Sequence, residues 1–194
     1  MRAETGMSYS YSTWREPFGV AETPAEYVFH RPRLYLETTI PSYLTARLSR
    51  DPTTAARQRI TMQWWNSWRT QFDIYISDAV LEEAAAGNRQ AADRRLRLLA
   101  YLPTLVIDDR SAVLQARLMK HCGLPARASV DAEHVAVAAV HSMEFLLTWN
   151  FAHLVNPQFA SRIKTVCEAE GFSCPLLWTP EQLLLRYENA RTGE

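Results

Sequence analysis

The sequence predicts an α/β domain with a mainly parallel central sheet covered by helices on both faces, and three observations carry that reading. Short apolar runs alternate with helix-periodic segments along almost the whole chain, the runs are continuously apolar, and no tight-hairpin signal joins any two of them. In sheets of this class, ligand sites form at the carboxyl ends of the strands, so strand-end residues are the first candidates for function.

Residues 1–32 are rich in Ser, Thr, Pro, Glu and aromatics and lack a clean period, so they read as a poorly ordered N-terminal extension. Met7 is an equally good start, and Tyr9, Tyr11, Trp14, Phe18, Tyr27 and Phe29 give this extension a means of packing on the domain or on a partner. The domain is expected over 33–187, with a short tail at 188–194. Its first strand lies at 33–37 and is broken by a Thr-Thr-Ile-Pro-Ser turn signal at 38–42. A long helix follows at about 52–71, with Ala56, Ile60, Trp64, Trp65, Trp68 and Phe72 at helical spacing; these form either core or a partner-binding ridge.

A second strand spans 73–77. Ser77 or Asp78 caps a helix over 79–86, ended by Gly87, and Asn88 caps a charged helix reaching Tyr101. A third strand at 103–107 leads to a helix at 109–121. After the Gly123/Pro125 break comes a helix at 130–142 that is apolar almost all round, followed by a strand at 145–148. Asn156-Pro157 supplies a cap and a first-position proline for another helix. A last strand at 175–178 precedes a helix opened by the capping box Thr179-Pro-Glu-Gln182.

A chain of 194 residues, 47% apolar and 22% charged, is an ordinary globular domain with an appendage. Net charge is zero, so bulk charge does not point to a nucleic-acid partner. Between positions 31 and 71, however, seven arginines (31, 33, 47, 50, 57, 59 and 69) face only two acids, Glu37 and Asp51. That bias is either a solvated helix face or a backbone grip for nucleic acid. The three cysteines are odd in number and form no C-x-x-C pair, which argues against a disulfide framework or a structural zinc site and for a reducing cytoplasm. No apolar run approaches a membrane span, so no membrane partner is expected.

Four polar residues stand where chemistry is expected. Glu37 closes the first strand, Asn150 follows the fourth, Asp131 sits in the first turn of the apolar helix, and Glu82 or Glu83 lies in the helix after the second strand. Consecutive helical residues diverge by about 100°, so only one of that glutamate pair can face the site. Oxygen donors gathered this way suit Mg²⁺ or Mn²⁺. Each also has a structural reading: Asp131 complements a helix dipole, Asn150 caps a helix, and the glutamates face solvent. An acid closing an apolar strand is harder to explain away. His134 and His153 follow Asp131 and Asn150 by three residues; they are either hydrogen-bonded structural histidines or participants in the site.

The segments Tyr35-Leu-Glu37-Thr-Thr, Ile76-Ser77-Asp-Ala-Val-Leu-Glu-Glu83-Ala-Ala-Ala-Gly87, Asp131-Ala-Glu-His134 and Leu147-Thr148-Trp-Asn150-Phe together resemble the ordered motifs of PIN-domain nucleases. The similarity is greatest to VapC-like toxins of type II toxin-antitoxin systems and covers about 33–180. It implies a PIN-like three-layer fold and an Mg²⁺- or Mn²⁺-dependent endoribonuclease acting on tRNA or other structured RNA. A small antitoxin and a homodimeric state are implied as well. By position, Glu37 stands for the first-strand aspartate, Glu83 for the helix glutamate, with Glu82 as the fallback, and Asp131 for the helix-start aspartate. These three are the implied metal ligands. Asn150, where many members have another aspartate, completes the implied catalytic set. Glu37 is one methylene longer than aspartate, and Asn150 offers an oxygen without charge, which lowers the anionic strength of the site. Two readings follow: an active nuclease, or a weakened PIN module acting as an RNA- or protein-binding scaffold. A nucleotide binder or small-molecule hydrolase finds no support in motifs, for there is no phosphate loop, no G-x-G-x-x-G and no G-x-S-x-G.

Overall fold

The computed structural model describes residues 31–192, and the expectations for the N-terminal extension up to position 30, its aromatics included, lie outside the described residues. Five strands, β1 (Arg33–Leu36), β2 (Asp73–Ser77), β3 (Thr104–Leu105), β4 (Phe145–Leu147) and β5 (Leu176–Trp178), form one sheet in the order β3-β2-β1-β4-β5. Every pairing is parallel, with Leu34 opposite Ile74 on one side and opposite Phe145 on the other. The expected α/β class, a mainly parallel sheet flanked by helices, is what the chain forms. Leu34, Tyr35, Leu36, Leu146 and Leu147 are fully buried, which explains why the central strands read as unbroken apolar runs.

The chain first builds outward from β1 through β2 to β3, then crosses back to lay β4 against the other side of β1. The strand order therefore reverses between β1 and β4, and the crevice outside their carboxyl ends is the place where such sheets bind ligands. Glu37 follows β1 there, and Thr148 to Asn150 follow β4.

Among the described residues, eight helices surround the sheet: α1 (Thr39–Thr45), α2 (Pro52–Trp68), α3 (Asp78–Ala85), α4 (Arg89–Leu99), α5 (Asp109–Cys122), α6 (Ser129–Val140), α7 (Pro157–Ala169) and α8 (Pro180–Thr192). Several read directly from local chemistry. Asp51, Asn88 and Asn156 each accept a hydrogen bond from a first-turn amide of the helix that follows. Asp108 and Ser111 form a reciprocal capping box, and Gly123 closes α5 in the left-handed conformation at φ 70°. Thr179 and Gln182 cap α8 by the same reciprocal scheme, with Thr179 N donating to Gln182 Oε1 and Gln182 N to Thr179 Oγ1. The last helix runs on to Thr192.

The structure corrects several boundaries. The segment 38–42, which reads as a turn, opens helix α1, because Pro41 falls in the first turn, where its missing N–H has no intrahelical partner to lose. Helix α2 stops at Trp68 and gives way to a single 3-10 turn, Arg69–Gln71. The third strand is only two residues long. The tryptophan ridge of α2 belongs to the core: Trp64 and Phe72 are buried, Trp65 and Trp68 pack against that core, and Tyr187 of α8 lies 5.5 Å from Trp68 and 5.4 Å from Phe72 between ring centroids. The chain's own last helix thus covers the face offered as a partner-binding ridge. No helix among the described residues is long and apolar enough to cross a membrane.

Candidate active site

Three ligand-capable side chains meet at the reversal point. One ligand atom from each of Glu37, Glu83 and His134 lies within 4.8 Å of the others. Glu37 is carried by the end of β1, Glu83 by the second turn of α3, and His134 by α6. Glu83 is the member of the glutamate pair that reaches the site; Glu82 is exposed and stands outside the cluster.

Each carboxylate is braced through one oxygen. Glu37 Oε2 accepts from Thr39 N at 3.0 Å, from Thr148 Oγ1 at 2.7 Å and from Thr39 Oγ1. Glu83 Oε2 accepts from Thr38 Oγ1 at 2.6 Å and pairs with His134 Nε2 at 2.9 Å. Neither Oε1 takes a hydrogen bond from a described residue, so both are free to meet a ligand. The three threonines come from the residues just after β1 and β4, so the same backbone that ends the strands orients the acids.

His134 is buried among the alanines and valines of α6, and both ring nitrogens are engaged. Nδ1 lies 2.8 Å from the Tyr35 hydroxyl, which in turn lies 2.6 Å from Ser77 Oγ. Ser77 occupies the N-cap position of α3 but makes no cap bond with its side chain, being committed to Tyr35 instead. A hydrogen-bonded relay therefore runs Ser77, Tyr35, His134, Glu83, Thr38 from the second strand to the first, buried over its first three members and open to solvent at Glu83.

Burial opposes charge on His134, but the Glu83 hydrogen bond and the negative charges of Glu37, Glu83 and Asp131 outweigh it, so its pKa rises above the ordinary imidazole value. Burial also works against the Glu83 carboxylate, yet His134 and Thr38 hold its pKa below the usual range. Glu37 is the reverse case: burial dominates, and the threonine donors and His134 only partly compensate, so its pKa is raised. In its charged form His134 donates from both nitrogens, and Tyr35 then passes its own proton toward Ser77. Burial raises the pKa of the Tyr35 phenol, so it stays a neutral link.

Asp131 and Asn150 form a second, neighbouring cluster. Asn150 Nδ2 donates to Asp131 Oδ1 at 2.9 Å, and His153 Nδ1 lies 2.6 Å from Asp131 Oδ2. Asn150 Oδ1 accepts from the His153 amide at 3.1 Å. Both Asp131 oxygens and both polar atoms of Asn150 are thus occupied within the protein, and His134 occupies the third place of the metal-capable trio, where the sequence resemblance sets Asp131. The two clusters join through Thr148, whose hydroxyl donates to Glu37 and accepts from the Asn150 amide at 2.9 Å. Tyr35, Ser77 and the three threonines escape a search for charged ligands. Their only signal in the sequence is adjacency: Thr38 and Thr39 follow Glu37 directly, and Thr148 stands two residues before Asn150.

No family model matches the chain, and no curated protein matches it. Among solved structures the chain is similar to FitAcB from Neisseria gonorrhoeae, at 17% identity and a TM-score of 0.47 over 76% of this chain and 97% of that one. It is also similar to VapBC2 from Rickettsia felis bound to a DNA fragment from their promoter, at 15% identity and a TM-score of 0.44 over 76% of this chain and 98% of that one.

Proposed function

We propose that this protein is a divalent-metal-dependent endoribonuclease, the toxin of a toxin-antitoxin pair, acting on tRNA or another structured RNA. The observation that carries the reading is the trio Glu37, Glu83 and His134 at the reversal point of a parallel sheet, with one oxygen of each carboxylate braced and the other free. The PIN-like motif order along the sequence gives the reaction class. The donor set fits a hard cation: two carboxylate oxygens for Mg²⁺ or Mn²⁺, with the imidazole nitrogen favouring Mn²⁺ if the ring itself ligates. Nδ1 of His134 held by Tyr35 is the outer-shell arrangement that a ligating imidazole needs.

A divalent ion bound there would supply charge neutralisation at a phosphate and an acidified water. Glu37, Glu83 and His134 would hold it, Thr38, Thr39 and Thr148 keep the carboxylates oriented, and Asn150 fixes Asp131. Asp131 and His153 form a hydrogen-bonded acid-imidazole pair beside Glu37, suited to positioning a water or a phosphate oxygen. Arginines of the 47–69 region give sequence-independent grip on the backbone, so RNA affinity falls steeply with salt. Unchanged affinity on tripling the salt would remove that part of the reading. The small antitoxin and the homodimer follow from the same motif likeness, and isolation of the native protein with a bound small chain is the check on the first.

The direct test is cleavage of end-labelled tRNA by purified protein with Mn²⁺, Mg²⁺ or EDTA, beside Glu37→Ala, Glu83→Ala and Asp131→Ala. Metal-dependent cutting abolished by Glu37→Ala and Glu83→Ala supports the proposal; cutting in EDTA, or equal cutting by the variants, refutes it. A second reading, a weakened PIN module serving as a scaffold, is favoured by the internal hydrogen bonding of Asp131 and Asn150. RNA binding without cleavage in any metal would select it.

A further inference from the structure

We propose that the groove between the first half of α2 and the Trp149–Phe151 turn is a subsite for an unpaired nucleobase of a single-stranded RNA segment, seated beside the metal-capable trio. The inference deepens the nuclease reading above and rests on it. The groove encloses about 440 Å³, is lined by Ala56, Arg57, Ile60, Trp149, Phe151 and Glu181 among others, and falls in the size range of small-ligand clefts of ~300–1,000 Å³.

Its lining is unusual in chemistry more than in size. The Arg57 guanidinium lies 4.6 Å from the centroid of the Phe151 ring and 5.6 Å from that of Trp149, and the two rings lie 6.0 Å apart. Phe151 is 45% exposed, a large aromatic left open to solvent. Arg57 makes no ion pair with a described residue. A cation set over aromatic faces at the mouth of a groove is what an unpaired nucleotide requires: a ring for its base to stack on and a positive charge for its phosphate. Glu181 at the rim adds an acceptor for an exocyclic amine of the base.

The groove is tied to the site through Trp149. The Trp149 indole N–H donates to Thr61 Oγ1 at 2.8 Å, and Thr61 donates to the backbone carbonyl of Arg57 at 2.6 Å, so the Trp149 ring is anchored to the turn of α2 that carries Arg57. The Trp149 amide donates at 2.9 Å to Thr39 Oγ1, the same hydroxyl that braces Glu37. A base stacked on Phe151 therefore sits along the strand end that carries the site. The small volume and the Arg57 guanidinium over the rings favour a nucleotide over a docked helix or strand of another protein.

The test is equilibrium binding of fluorescent oligouridylate and oligoadenylate to the full chain in EDTA, where no metal-dependent cutting occurs, for wild type, Phe151→Ala, Phe151→Trp and Arg57→Ala. Urea midpoints of all four proteins control for folding. Phe151→Ala should weaken binding about five- to 100-fold and Phe151→Trp should retain it. An oligomer of abasic residues should bind weakly and be indifferent to Phe151→Ala, while Arg57→Ala should weaken both ligands. Unchanged affinity in Phe151→Ala, with wild type cleaving RNA in Mn²⁺, overturns the subsite alone. Ring-dependent binding without any cleavage in Mn²⁺ upholds the subsite and overturns the nuclease reading. If RNA affinity is unchanged while the variants lose a co-purifying protein chain, the groove is a protein dock and the inference falls.

Discussion

Replacing Tyr35 by Phe tests whether the buried relay behind His134 is an energetic unit. The substitution removes one oxygen and leaves the ring in place, but that oxygen serves two buried partners, Ser77 Oγ at 2.6 Å and His134 Nδ1 at 2.8 Å. Each partner left short of a hydrogen bond in the interior costs about 1–3 kcal/mol, and relief from burying the phenol itself returns roughly 1 kcal/mol. The expected net loss is about 1–5 kcal/mol. For a chain of this size, ~2–4 °C per kcal/mol places the fall in Tm at about 2–20 °C. Urea unfolding of wild type, Tyr35→Phe, Ser77→Ala and the double variant is the assay, since the cycle isolates the coupling of the pair, expected at about 1 kcal/mol. In the same variant Mn²⁺ affinity should fall by about 10- to 100-fold, as outer-shell losses at metal sites do. A destabilisation under about 0.5 kcal/mol, or strict additivity with Ser77→Ala, would refute the relay.

Further outcomes follow from the same geometry. Both Glu37 and His134 have raised pKa values when folded, so the stability each contributes is greatest at low pH and is lost as pH rises through the raised values. The Tm of the metal-free protein should therefore decline from pH 5 toward pH 8, and Glu37→Gln should flatten the decline; a Tm that climbs over that window would contradict the assignment. The lowered Glu83 pKa acts only below the normal glutamate range and leaves this window untouched. Because a metal must displace those protons, Mn²⁺ affinity should increase with pH, and saturating Mn²⁺ at 100 times its Kd should add about 2.7 kcal/mol of stability that Glu37→Ala abolishes, both readable by thermal shift. Asn150→Asp sets a carboxylate where an amide now donates to Asp131 at 2.9 Å; it should lower metal-free stability by about 1–3 kcal/mol and raise Mn²⁺ affinity, and calorimetric titration would expose the opposite result. Thr61→Val, nearly isosteric, strands the Trp149 indole N–H and should cost about 1–3 kcal/mol in urea unfolding, a loss Thr61→Ser should largely avoid.

Much of the architecture is legible in the sequence because its signals are local. Unbroken apolar strands, the caps at Asn88, Asn156 and Thr179, and the left-handed Gly123 each act over a few residues, and the elements they predict are present. The misread segment at 38–42 shows the limit. A proline is a breaker in mid-helix and harmless in a first turn, and composition alone does not say where the turn begins. The acids Glu37 and Glu83 were legible because strand ends and a helix phase place them. The third member of the trio was not. His134 and Asp131 lie three residues apart on one helix, and which of them reaches the glutamates depends on how α6 is rotated against the sheet, a property of packing across the core. The alternation of roles among Tyr35, Ser77 and the threonines is likewise a matter of contacts between residues 42 to 111 positions apart.

The pairing of β4 against β1 has a consequence for when this protein becomes competent during its synthesis. Thr148 reaches back across 111 positions to brace Glu37, and β5 must then close the edge of β4. A nascent chain emerges from its N-terminus, so β1, β2 and the helices between them are available to fold long before the strand that finishes the site has left the ribosome. Fragments that end between Val135 and Leu146 contain Glu37, Glu83 and His134 but lack Thr148, which braces Glu37. An incomplete or prematurely released product therefore lacks the Thr148 brace on Glu37, and the last quarter of the chain is what completes the cluster.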